Sequence, residues 1–357
     1  MASGLSPAPT RSWGLARLVA PFPSETFLAE HWESRPLHVP RTDPDYYREL
    51  VSLRDIDELI ATASIAARQV TVVGGPAETD GEDATDADSR PPGRPLTSPG
   101  GPERLYERFR GGATIVLSYL QERFSPLREF CNALGSELST GVQANAYVTP
   151  AHAQGLAAHY DTHDVFVVQV AGSKRWRLYD APVETPLAEQ HYRRDEHRPT
   201  GAATVVDLHA GDLLYLPRGV VHEAQSLDSV SVHLAVGILG ITWAEVLHAA
   251  VDLFARSEAT ARHTLPVGFA RSPGPRRQAE AAVPELVAAF GARCQATELV
   301  EHAAALATSR LGPVVEGYLC GIAGSPGLTT ETELRRRGED WTIERRDEER
   351  LMLSSGT

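Results

Sequence analysis

The chain has 357 residues, 42% hydrophobic and 23% charged, with a formal net charge of −13. That length suits one large domain plus a smaller one, and the acidity argues against sequence-independent nucleic-acid binding while suiting a basic partner. No apolar run approaches the roughly 20 residues of a membrane helix. Cys131, Cys294 and Cys320 are too few and too scattered for a disulfide framework or a CxxC metal site, which fits a cytoplasmic protein using them as small buried hydrophobes.

Near the N-terminus, Arg11 and Arg17 interrupt what would be the apolar core of a signal peptide, so the segment reads as untargeted. PSETFLAEHWESRPLHV predicts a helix with Ser24 as N-cap, carrying Phe27, Leu28 and Trp32 and stopping near Pro36. LHVPR reads as extended, LRDIDELIATAS as a second helix and ARQVTVV as a strand. From Pro76 to Pro102 there are six acidic residues, two arginines, six prolines, four glycines and no aromatic residue. Such a stretch buries too little apolar surface to offset its ordering entropy, and it reads as a disordered insertion. Order resumes with RLYERFRGGATIVLSYL and a helix at SPLREFCNALGSELS.

Seven short strands follow: GVQANAYVTP, HYDTHDVFVVQV, SKRWRLYD, ATVVDLHAG, LLYLPRG, VHEAQSL and SVSVHLAVGI. Short strands at close spacing predict a barrel or sandwich. Past Gly240 the pattern turns helical. TWAEVLHAAVDLFA places Trp243, Val246, Leu247, Ala250 and Phe254 on one stripe. PELVAAFGARC and ATELVEHAAALATSRL continue as helices, and ETELRRRGEDWTIERRDEERLMLSS alternates like short strands around a charged turn. The fold class is mainly β with α additions. Four regions are expected: an α/β flank over 1–104, a barrel over 105–240, helices over 241–310 and a small module over 311–357.

The chemistry sits at the head of one strand. In HYDTHDVFVVQV, residues two apart share a face, so His159 and Asp161 project together, about 7 Å apart at Cα. GDLLYLPRGVVHEAQS adds His222 after a Pro217–Gly219 turn. Two imidazoles and a carboxylate leave three positions of a metal open, the facial triad of non-haem iron(II) oxygenases. A closed zinc site would require four ligands. His163 shares the ligand face by parity; it could be a fourth ligand, but it reads rather as facing substrate or hydrogen-bonding. Asp164 either orients a ligand or caps the strand. His152, His209 and His233 lack a spacing partner and read as structural, Trp176 and Phe166 as core, and Arg335–Arg337 with Arg345 and Arg346 as a solvated face. Lys174 begins the return strand; an inward lysine needs an anion, which the far carboxylate of a metal-bound dicarboxylate would supply. Asn145 and Tyr147, two apart on an adjacent strand, could donate to the same molecule.

NAYVTP, GLAAHYDTHDVFVVQVAGSKRW and GDLLYLPRGVVHEA, in that order, resemble the JmjC-type 2-oxoglutarate oxygenases of the cupin superfamily, in particular the ribosomal oxygenases. PLHVPR and the helix from TWAEVL fit as well, so the resemblance spans most of residues 20–270. It implies a double-stranded β-helix (jelly-roll) barrel, a helical dimerisation region over 241–310 and a winged-helix-like module over 311–357. It implies His159, Asp161 and His222 as ligands of Fe(II), Lys174 as partner of the C5 carboxylate of 2-oxoglutarate, and Asn145 and Tyr147 as pocket residues. The implied reaction couples oxidative decarboxylation of 2-oxoglutarate to hydroxylation of an arginine or histidine side chain of a ribosomal protein by a homodimeric enzyme. One departure is that HLAVG ends in Gly237, where relatives often carry a serine facing the co-substrate. Two other readings use the same residues: a hydroxylase of a peptide natural product or amino acid, and a non-catalytic metal-binding cupin scaffold.

Overall fold

The computed structural model describes residues 13–61, 70–74, 101–199, 201–311, 341–347 and 350–355. The chain forms two compact units, residues 1–240 and 241–357. In the first, α1 (Leu15–Val19), α2 (Ser24–Glu30), β1 (Leu37–Val39), α3 (Leu53–Ala61), β2 (Val70–Val73), α4 (Gly101–Arg110), β3 (Thr114–Leu117) and α5 (Ser125–Leu138) precede the main strands. Then come β4 (Gly141–Thr149), β5 (Asp164–Ala171), β6 (Ser173–Leu178), β7 (Thr204–His209), β8 (Leu213–Leu216), β9 (His222–Ser226) and β10 (Ser231–Leu239).

Seven strands pair antiparallel in the order β1-β8-β5-β10-β4-β3-β2, and three more as β7-β6-β9. This is a cupin-type fold, mostly antiparallel sheet with helices added. β1 and β2, from the segment read as a flank, are strands of the large sheet. The insertion expected at 76–102 lies outside the described residues except for its last two, Gly101 and Pro102, which open α4.

Side-chain alternation divides the interior in two. Phe166 and Val168 of β5, Leu213 and Tyr215 of β8, Ala144, Ala146 and Val148 of β4, and Val232, Leu234, Val236 and Ile238 of β10 pack with Leu18, Phe27, Ile56, Leu127 and Phe130 from the helices. The alternate residues Val165, Val167, Leu214 and Leu216 meet Trp176, Leu178, Leu208 and Ala224 of the small sheet. β5 and β8 are therefore apolar on both faces. The inward positions of β4 and β10 carry Asn145, Tyr147, Thr149, His233 and Ala235 instead.

Three local expectations need correcting. Ser24 is the first helical residue and Pro23 the N-cap, without a side-chain cap, and Trp32 lies past the end of α2. The proline presets an extended φ, so no hydroxyl cap is needed to start the helix. Residues 159–163 are loop, because β5 begins only at Asp164. The helical stripe in α6 (Trp243–Ser257) splits: Ala250 and Phe254 are buried, whereas Trp243 is 77% and Leu247 53% exposed.

In the second unit, α6 opens on a reciprocal cap, with Thr242 Oγ1 accepting from the Glu245 amide and Glu245 Oε2 accepting from the Thr242 amide at 2.8 Å. It is followed by α7 (Pro273–Arg293) and α8 (Ala296–Ser309), with Arg310 donating to Glu245 at 2.5 Å. β11 (Trp341–Asp347) and β12 (Arg350–Ser355) pair antiparallel, in the segment that alternates like short strands. Residues 312–340, including Arg335–Arg337, lie outside the described residues, as does Cys320. Cys131 is buried and Cys294 half-buried, and both are free thiols. Among the described residues no helix is long and apolar enough to cross a membrane.

Candidate metal centre

His159 and His222 face each other across an isolated antiparallel bridge. The His222 amide donates to the His159 carbonyl at 2.7 Å, and the His159 amide returns a bond at 3.1 Å. Directly opposed residues project to the same side of the pair, and the two rings lie 4.5 Å apart. The bridge thus does what strand parity was expected to do, although residues 159–163 are not in a strand.

The Pro217–Val221 turn delivers His222. Gly219 takes φ +88°, and a Cβ there would lie 2.2 Å from the Val183 carbonyl oxygen, so only glycine fits. The Gly219 amide donates to the Asp161 carbonyl at 3.0 Å, tying the two ligand segments together. Asp164 anchors the same turn: its carboxylate accepts from Tyr215 Oη at 2.7 Å and from Arg218 Nη1 at 3.0 Å. Burial raises the Asp164 pKa, against the pull of Tyr215 and Arg218. Of the two roles left open for Asp164, it both begins the strand and braces the turn behind a ligand.

Each imidazole is oriented by its own backbone. His159 Nδ1 lies 2.8 Å from the Ala157 carbonyl and His222 Nδ1 3.0 Å from that of Val220. Both contacts require Nδ1 to carry the proton, which leaves the Nε2 lone pairs for a ligand. The two Nε2 atoms lie 3.9 and 3.8 Å from the two Asp161 carboxylate oxygens. One donor atom from each of the three residues lies within 4.8 Å of the others. Burial, then the neighbouring His159, lowers the His222 pKa to about 4, so this ring is neutral near pH 7. Burial pushes the Asp161 carboxyl up, but the surrounding histidines outweigh it and hold the carboxylate ionised. Two imidazoles and one carboxylate on one side, with no fourth ligand in the cluster among the described residues, fit a divalent cation with open positions.

His163 does not join this cluster. Its ring lies over Gly237, where a Cβ would sit 2.6 Å from Nε2. The glycine noted as a departure in the sequence makes room for an imidazole.

A cavity open to solvent contains the cluster. Its walls include Tyr147, Lys174, Trp176, His233, Val165, Val167 and Leu216. Lys174 is 2% exposed, donates to Thr149 Oγ1 at 3.0 Å, and has its pKa lowered by burial to about 7. Two polar atoms that sequence reasoning placed elsewhere, Trp176 Nε1 and His233 Nδ1, are buried here without a hydrogen-bond partner among the described residues. His233 stacks on Tyr147 at 4.8 Å, and burial, then Lys174, holds its pKa well below the usual histidine value. A buried ammonium beside unpaired polar groups is a cradle for an anion. Strand alternation points His233 and Trp176 inward, a signal the search for spacing partners passed over. Asn145 shares the inward face of β4 but is not among the cavity's lining residues. Its Oδ1 accepts from the amide of Tyr119, which has φ +56°, at 2.9 Å and so serves a loop.

Residues 119–246 match the JmjC domain family. Across 246 residues the chain is 30% identical to human ribosomal oxygenase 1, covering 66% of this chain and 36% of that protein. It is 33% identical over 223 residues to the bifunctional lysine-specific demethylase and histidyl-hydroxylase NO66 of Drosophila persimilis, covering 62% and 31%. The match to the Dictyostelium discoideum protein of the same name is 32%, covering 65% and 44%. The chain therefore spans less than half the length of these curated relatives. Among solved structures, YcfD, a ribosomal oxygenase from Escherichia coli, aligns at 16% identity with a TM-score of 0.45, covering 77% of this chain and 68% of that one. The inward-facing triad and the buried lysine thus lie in the segment, residues 119–246, that matches the JmjC domain family.

Proposed function

We propose that the protein is an Fe(II)- and 2-oxoglutarate-dependent dioxygenase that hydroxylates an arginine or histidine side chain of a basic protein, first of all a ribosomal protein. The observation that carries this reading is the convergence of His159, Asp161 and His222 in one cavity with Lys174, a buried cation lacking an acidic partner among the described residues. Similarity to proteins named ribosomal oxygenase and histidyl-hydroxylase supports the substrate class. A net charge of −13 suits a basic target.

Iron(II) with 2-oxoglutarate and O2 supplies the oxidising power to turn an unactivated C–H bond into C–OH, with release of succinate and CO2. The chain's residues do the rest. His159 and His222 offer Nε2 lone pairs fixed by their Nδ1 contacts, and Asp161 contributes one negative charge. Lys174 takes the distal carboxylate of the keto acid. Trp176 Nε1 donates to an oxygen acceptor placed in the cavity, and the neutral ring of His233 faces the same space. Val165, Val167, Leu216 and Ala224 line the walls with hydrocarbon and limit water at the reacting centre. Under the same reading residues 241–310 form a dimerisation region, which the exposed Trp243, Leu247 and Val251 of α6 support, and residues 311–357 a winged-helix-like module.

Mass spectrometry of ribosomal proteins from cells with and without the gene tests the substrate. A +16 Da shift on one ribosomal protein, lost on deletion and restored by the wild-type gene but not by an Asp161→Ala copy, is expected. Identical ribosomal masses in both strains would reject a ribosomal target.

A further inference from the structure

Lys174 is held from behind by hydroxyls. β3 and β4 run antiparallel with Ile115 opposite Val148, so one residue further on Thr114, the first of β3, opposes Thr149, the last of β4. Both side chains are buried, at 1% and 0% exposure. Thr114 Oγ1 donates to Thr149 Oγ1 at 3.1 Å, and Lys174 Nζ donates to the same oxygen at 3.0 Å. Gly155 lies over the group, and a Cβ there would be 3.6 Å from Nζ and 3.5 Å from Thr114 Oγ1.

We infer that Thr149, with its rotamer set by Thr114, is the positioning residue that aims Lys174 at the distal carboxylate of the keto acid. This rests on the proposed co-substrate role of Lys174. A lysine stem has several rotatable bonds and three equivalent donors. Bonding one N–H to a fully buried oxygen fixes the stem and leaves two N–H groups for the cavity, the number a carboxylate can use. Threonine is branched at Cβ, so χ1 decides whether hydroxyl or methyl faces the ammonium. The Thr114 donor selects the rotamer that presents the oxygen. The ordering entropy of the lysine is then spent on folding rather than on binding. Neither threonine lines the cavity, so both act through Lys174.

Calorimetric titration of 2-oxoglutarate into the full-length, Mn(II)-loaded protein tests this, with pyruvate, which lacks the distal carboxylate, as control. Loss of a hydrogen bond to a charged group raises the Kd for 2-oxoglutarate about tenfold in Thr149→Val, and loss of the neutral bond raises it about threefold in Thr114→Val. Thr149→Ser keeps the hydroxyl and restores binding, and the Kd for pyruvate stays at the wild-type value throughout. Equal losses in Thr149→Val and Thr149→Ser, or equal losses for both ligands, overturn the positioning role. Lys174→Ala separates the two layers. Unchanged 2-oxoglutarate binding in that variant overturns the carboxylate role itself. Weakened binding there, with wild-type binding in Thr149→Val and Thr114→Val, overturns the positioning alone. If circular dichroism shows Thr149→Val unfolded, Thr114→Val decides by the same criteria.

Discussion

Replacing Lys174 by methionine removes a buried ammonium and keeps much of the aliphatic stem. The fall of its pKa from 10.5 to about 7 corresponds to a burden of about 5 kcal/mol on the ligand-free fold. Relaxation and water entering the cavity reduce this, so Lys174→Met should stabilise the metal-free, ligand-free protein by about 2–4 kcal/mol near neutral pH. The sign follows from proton counting. Between about pH 7 and the ordinary lysine value the unfolded chain binds the proton that the folded chain has lost, so wild-type stability rises with pH through that window. The variant's advantage is full below it and fades towards its top. Urea unfolding in EDTA at about pH 6 and about pH 10 measures both quantities. Adding 2-oxoglutarate to the metal-loaded proteins should stabilise the wild type further and leave the variant nearly unmoved. A variant less stable than wild type at about pH 6, or a gap that fails to narrow by about pH 10, would refute the account of Lys174 as a cation kept for an anion.

Gly237→Ala should cost about 1–3 kcal/mol by overpacking, because its Cβ would fall 2.6 Å from His163 Nε2. His163→Ala on top of it should recover most of the loss, a coupling read from thermal unfolding of the double-mutant cycle. Asp164→Asn takes the buried charge from Arg218 and weakens the brace on the turn before His222. It should lower stability by about 3 kcal/mol and metal affinity by about 10- to 100-fold, measured by unfolding and by equilibrium metal binding. Wild-type metal affinity in that variant would remove Asp164 from the support of the site.

What the sequence made legible follows from periodicity. The apolar residues of β5, β8 and β10 alternate or run unbroken, as burial on one or both faces demands; β8 and β10 form close to where expected, whereas β5 begins only at Asp164. The ligand set was legible because residues of metal-binding type cluster at short spacing around a Pro-Gly turn. The reason they converge was not, because a two-residue bridge between His159 and His222 depends on chain path rather than strand parity. Thr114 escaped notice because its relation to Lys174 runs through the pairing register of β3 and β4 and a third strand, β6. Asn145 was placed on the right face by alternation. Its hydrogen bond to the Tyr119 amide depends on a left-handed residue at the end of β3, and nothing in NAYVTP announces it. His233 and Trp176 were assigned to structure for want of nearby partners, although alternation along β10 and β6 turns both into the cavity.

The central claim is that one divalent cation sits on His159, Asp161 and His222 together. Titration of Mn(II) followed by the EPR signal of the free ion counts such sites in the full-length protein. The account predicts one tight site per chain, lost when Asp161 or His222 alone becomes alanine while the circular dichroism spectrum is unchanged. A wild-type site surviving in both variants would contradict it.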